Sequence, residues 1–120
     1  MVGNHEERLR KLAIRDDAYV DSLLGHADEN IVESQLDAKT RALVQLGALV
    51  AIDAGSASYM STVQAARCCE TSDDELVGCL IAVMPAVGVA RVVSAAPKLG
   101  LALGYDVTAA LEAYGLEFPE

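Results

Sequence analysis

The sequence predicts an all-α fold of six or seven helices that assembles into oligomers. Three observations lead there. The 120 residues are 52% hydrophobic but only 4% aromatic, so the core must be built from Ala, Val, Leu and Ile. Ala and Leu are among the strongest helix formers. Apolar residues recur at helical spacing behind side chains suited to N-caps, and no segment sustains strand alternation. A chain this short buries only about two-thirds of its unfolded surface when alone. With so much apolar area, part of it is expected against other subunits, because large exposed apolar patches mark interfaces. The length suggests one domain, residues 1–120, and neither a linker nor a repeat interrupts it.

Each element has a local reason. Asn4 followed by Glu7 reads as a capping box, with Leu9, Leu12 and Ala13 on one face behind it. Asp16 or Asp17 starts a second helix, AYVDSLL, that stops at Gly25. Residues 25–35, GHADENIVESQ, are polar and read as a connection. Asp37 caps a helix over 38–53 whose interior, ALVQLGALVAI, is apolar nearly all round, so it should be central and buried. Gly55 closes it, and another helix covers 56–69. Ser72 and Glu75 form a capping box, with Asp73 and Asp74 complementing the positive end of the helix dipole. That helix reaches Met84 or slightly beyond, and Pro85 kinks it or ends it before a further helix through VGVARVVSAA. Lys98, Gly100 and Gly104 mark a looser region. Asp106 caps a short last helix with Val107, Ala110, Leu111 and Tyr114 on one face, ended by Gly115. The tail GLEFPE reads as a docking strap or a frayed end.

Charge and composition exclude several functions. The net charge of −9 argues against nucleic acid, whose binding needs Lys and Arg to neutralise phosphates. It argues equally against anionic membranes. The start, MVGNHEERLRK, is charged where a secretory signal would be apolar, which points to a reducing cytoplasm and free thiols. The uncharged run 76–90 is shorter than the roughly 20 residues a membrane span needs, and Pro85 interrupts it. It is expected to be a buried helix.

No metal or cofactor is expected. His5 and His26 are far apart, and the spacings of zinc or haem sites are absent. There is neither a phosphate loop nor a dinucleotide fingerprint. GSASY lacks the second glycine of a nucleophile elbow. Cys68 and Cys69 sit at a helix C-terminus, where the dipole disfavours thiolate, although Arg67 opposes that. They and Cys79 read as small buried hydrophobes.

One face remains of interest. At about 100° per residue, Gly55, Ser58, Tyr59, Thr62, Ala65, Ala66 and Cys69 share about 120° of a helix. Apart from Tyr59 the face is small, and close packing by a neighbouring helix explains it.

LDAKTRALVQLGALVAI (36–52) followed by QAARCCETSDDELVGCLIAVMPAVGVARVVSAA (64–96) resembles the carboxymuconolactone decarboxylase and alkylhydroperoxidase D superfamily. Leu36, Asp37, Lys39 and Arg41 stand where the family has Leu-Asp-x-Lys/Arg-x-Arg. Ala65 and Ala66 lead to a cap formed by Ser72, Asp74, Glu75 and Leu76, and Gly88 and Val89 match a later Gly-Val. The order and spacing of these features carry the resemblance, over about half of the chain (family core about 36–96). It implies the alkylhydroperoxidase D-like helical fold, assembled as a homotrimer or homohexamer. It also implies an active site on the Ala-rich helix. Redox members carry Cys-x-x-Cys-x-x-x-His there, and this chain has Gly55, Ser58 and Thr62 at those positions. Disulfide exchange needs a thiolate and a resolving partner, so peroxidase activity is not expected.

The decarboxylase branch lacks the cysteine pair but usually has a histidine where Thr62 stands. Decarboxylation needs a place for the carboxylate, a dry pocket and a proton source. The resemblance makes Ser58, Tyr59 and Thr62 the catalytic candidates, with Tyr59, Glu75 or Arg91 able to replace the missing proton donor. Lys39, Arg41, Glu75 and Met84 are the substrate-binding candidates; the bland roles are surface salt bridges for the two cations and core packing for Met84. Two classes stay open. One is a cofactor-free lyase or isomerase acting on a small carboxylated or cyclic metabolite. The other is a non-catalytic relative serving as a ligand-binding or assembly module.

Overall fold

The computed structural model describes residues 3–105, and every regular element among them is a helix. In chain order these are α1 (His5–Ala13), α2 (Asp17–Gly25), α3 (Ala27–Ser34), α4 (Ala38–Ala51), α5 (Ser56–Cys68), α6 (Asp73–Val87) and α7 (Val89–Leu103). The chain divides into two compact units, Met1–Arg41 and Ala42–Glu120. The short helix expected from Asp106 onward lies outside the described residues. No described helix is long and apolar enough to cross a membrane.

In the N-terminal unit, Asn4 caps α1 by accepting from the Glu7 amide at 2.9 Å. The reciprocal half of the expected box is replaced by a Glu7–Lys11 ion pair at 3.5 Å. Asp16 caps α2 through the Tyr19 amide at 3.1 Å. The expected connection at 25–35 is instead mostly α3. Its polar composition hid good helix formers, and Asp28 and Glu29 sit in its first turn, where the dipole favours them. Long-range polar bonds then fix it. Asn30 donates to the Leu23 carbonyl at 3.2 Å, Tyr19 donates to Glu33 at 2.7 Å, and Arg8 donates to the Glu33 carbonyl at 2.8 Å. None of α1, α2 and α3 has a buried residue.

The C-terminal unit is held differently. Its core joins Ala42, Leu46 and Val50 of α4, Tyr59, Val63 and Ala66 of α5, Leu76 and Leu80 of α6, and Val92, Ala95 and Leu99 of α7. Helix α7 packs against both α5 and α6. A Cβ at Gly47 would lie 3.2 Å from Val83, so the glycine lets α4 approach α6 closely. Cys79 donates its S–H to the Leu43 carbonyl at 3.2 Å along the same contact, and burial pushes its thiol up.

Helix α4 is apolar nearly all round, yet only the Ala42–Leu46–Val50 stripe is buried, and Val44 is exposed. The Ser72–Glu75 capping box of α6 forms in both directions, each bond at 3.1 Å. Pro85 is accommodated inside α6, which ends at Gly88 with φ of 89°. The looser region expected around Lys98–Gly104 is helical through Leu103. Leu99 and Gly100 are buried there, so packing outweighs the helix-breaking tendency of Pro97 and Gly100.

Several helices end in the same left-handed turn, with one amide bonding back three residues and the next bonding back five. At α7 the left-handed residue is Gly104. At α1, α4 and α5 it is Arg15, Asp53 and Glu70, with φ of 51°, 53° and 60°. A side chain makes that conformation costly unless something compensates. At Asp53 something does.

Candidate functional site

The carboxylate of Asp53, in the turn between α4 and α5, collects donors from one stripe of α7. Arg91, Ser94 and Lys98 are spaced to share that stripe. Ser94 Oγ donates to Asp53 Oδ1 at 2.7 Å, and Lys98 Nζ donates to the same oxygen at 3.1 Å. Arg91 Nη1 lies 3.7 Å from Asp53 Oδ2. Lys98 also donates to the Ala54 carbonyl at 2.9 Å, tying the turn's backbone to α7. The Ser94 hydrogen bond, then Lys98 and then Arg91 hold the Asp53 carboxyl below the usual carboxylate range. The cluster is only partly covered: the side chains of Arg91 and Asp53 are 49% and 40% exposed, and that of Lys98 25%. Arg91 makes the longest contact of the three.

The adjoining helix, α5, begins at Ser56 with no side-chain cap. Its buried stripe is Tyr59, Val63 and Ala66. The small-residue face predicted for this helix is therefore split. Tyr59 and Ala66 enter the core, Thr62 and Cys69 flank it, and Gly55, Ser58 and Ala65 are exposed. Val63 explains the rotation, because burying its larger apolar surface gains more than burying Ser58 or Ala65. Cys68 is exposed as well, and Cys69 and Cys79 are only partly buried, so none of the cysteines is the buried hydrophobe expected. The Tyr59 hydroxyl is buried without a hydrogen-bond partner among the described residues. Burial, and then the negative charge of Asp53, push its titration up, so it stays a neutral phenol.

The other candidates lie in different surroundings. Glu75 accepts from the Ser72 amide in the α6 cap, and Met84 packs half-buried against the core. Lys39 and Arg41 belong to the N-terminal unit, where Arg41 donates to Asn30 Oδ1 at 3.2 and 3.4 Å. Sequence reasoning named Arg91 without a place for it and missed Asp53, Ser94 and Lys98. The i, i+3, i+7 stripe was a readable signal; its meeting with Asp53 depends on the tertiary packing of α7.

Two of the cavities formed by the described residues are large enough for a small ligand, and both lie elsewhere. One of about 430 Å³ between α6 and α7 is lined mainly by Val77, Leu80, Leu99, Gly100 and Leu103. Those α7 residues are on the side of the helix away from Ser94 and Lys98. The other, of about 370 Å³, lies in the N-terminal unit beside Lys11, Tyr19 and Glu33. Among the described residues no group of three or more His, Cys, Asp or Glu is placed to hold a metal ion. Among family models, curated proteins and solved structures, none matches this chain.

Proposed function

We propose that the chain is a carboxymuconolactone decarboxylase-like protein that acts as a cofactor-free lyase or isomerase on a small carboxylated metabolite. The observation that supports this reading best is the convergence of Arg91, Ser94 and Lys98 on a carboxylate beside the start of α5. These side chains supply what such a reaction needs at the substrate's acid group: two cations and a hydroxyl donor. Loss of carbon dioxide leaves the C–C electron pair on the carbon beside a carbonyl, as an enolate. The Lys98 ammonium supplies the proton that quenches it and regains one from solvent. In this proposal Ser58 and Thr62 of α5 are further substrate-contacting residues, while Tyr59 stays in the core. A homotrimer or homohexamer closes the site against water.

The test is a thermal-shift screen of carboxylated lactones and aromatic acids, followed by a carbon dioxide release assay with those that bind. An acid should raise the melting temperature, and Arg91→Gln and Lys98→Met should remove that shift; Ser58→Ala and Thr62→Val should lower turnover. If no acid shifts the wild type, this reading fails. Robust peroxide consumption with a dithiol reductant would replace it with redox chemistry.

A second reading, a non-catalytic assembly module, rests on a separate observation. Val77 and Ile81 on α6, and Val89, Val93 and Leu101 on α7, are large apolar side chains exposed at helical spacing. Ile81→Glu together with Val93→Glu should dissociate an oligomer in sedimentation. Dissociation without any acid binding in the wild type would favour this reading over the first.

A further inference from the structure

We infer that Asp53 occupies the seat that the ligand's carboxylate takes, so that binding exchanges one carboxylate for another while Lys98 keeps the α4–α5 turn tied to α7. The inference rests on the proposed function, in that the ligand is an anionic carboxylate, and it adds how the site is regulated.

Three features of the cluster carry it. First, the donor set is a complete carboxylate receptor, with a hydroxyl and an ammonium on Oδ1 and a guanidinium facing Oδ2. A carboxylate from any source satisfies those donors equally well. Second, the internal occupant is held at a conformational cost. Asp53 has φ of 53°, a region disfavoured for residues other than glycine. Glu70 ends α5 in the same backbone turn with its side chain exposed, so the turn forms without a carboxylate clamp. Third, the exchange needs no opening of the core. The Asp53 and Arg91 side chains are already 40% and 49% exposed, and exposed ion pairs of this kind contribute little individually. Lys98 keeps its bond to the Ala54 carbonyl during the exchange and so remains positioned for an incoming acid.

An occupied seat lowers apparent affinity by the fraction of time it is free. Removing the internal carboxylate should therefore tighten binding of an external one. The experiment measures succinate and benzoate binding by calorimetry to the full chain and to Asp53→Asn, which keeps a residue tolerant of the left-handed turn. Asp53→Gly suits that backbone without strain and carries the same test should the Asn variant fold poorly. Both variants should bind either acid about tenfold or more tighter than wild type, as expected if Asp53 fills the seat about nine-tenths of the time. Arg91→Gln added to Asp53→Asn should remove that gain. Equal binding by wild type and the Asp53 variants, weakened in both by Arg91→Gln, would overturn the exchange while leaving the proposed function standing. Absence of binding by wild type and both variants would overturn the two together.

Discussion

The two units of this chain are stabilised by different physics. The C-terminal unit has a contiguous apolar core in which Leu46, Val50, Tyr59 and Leu76 are fully buried. In the N-terminal unit α1, α2 and α3 bury no residue, and Leu9, Leu12, Ile14 and Leu24 are exposed. Polar cross-links among Arg8, Tyr19, Asn30, Glu33 and Arg41 hold it. Apolar burial is non-directional and grows with area, whereas each hydrogen bond contributes only a modest net amount. The C-terminal unit is thus the more rigid platform, and it carries the candidate site.

Substitutions can break this contrast, beginning where the effect is largest. Leu46→Ala should cost about 2–5 kcal/mol in denaturant unfolding, as cavity-forming core changes do. The same change at Leu12, half exposed on α1, should cost far less. Equal losses at both positions would show that the N-terminal unit has a core of its own. Asn30→Ala comes next. It removes the donor to the Leu23 carbonyl and the acceptor used by Arg41, and should cost about 1–2 kcal/mol. Hydrogen exchange should speed in α2 and α3 and stay unchanged in α5 and α7.

The turns sharpen the comparison at smaller scale. Glu70→Gly relieves a left-handed side chain, partly offset by the greater entropy of glycine when unfolded, so it should stabilise by less than about 1 kcal/mol. A loss of stability would mean that the Glu70 side chain contributes where it stands. The smallest effect concerns pH. Asp53 titrates lower in the folded chain than when unfolded, so the unfolded chain binds more protons in the acid range. The contribution of Asp53 is fully present above the unfolded carboxylate range and is lost as pH falls through its folded value. Asp53→Asn should therefore flatten the acid limb of a stability-against-pH curve; an unchanged limb would show that Ser94 and Lys98 do not hold the carboxylate in solution.

Much of the helical framework was legible in the sequence because capping is local. Asn4, Asp16, Asp37 and Ser72 each accept a backbone N–H three residues ahead, within reach of any reading along the chain. Helix α3 was missed because polarity and helicity are independent, and its bonds to α2 span many residues. The end of α7 is hard to read along the chain because Gly100 and Gly104 speak against a helix locally, while burial of Leu99 decides for one. The same limit applies to the site. The stripe Arg91, Ser94, Lys98 is periodic and visible, but Asp53 joins it from another part of the chain. Tyr59 entered the core because Val63 drew that side of α5 inward, a competition between faces that a small-residue pattern does not reveal.

The most direct test of where function resides is an NMR titration of the full chain with a small carboxylic acid, observing the side-chain nitrogens of Arg91 and Lys98. Their signals should shift together with the Asp53 and Ala54 amides and saturate at one ligand concentration, while α1–α3 stay still. Shifts confined to the Lys11–Tyr19 cavity of the N-terminal unit, with Arg91 and Lys98 unmoved, would contradict the account.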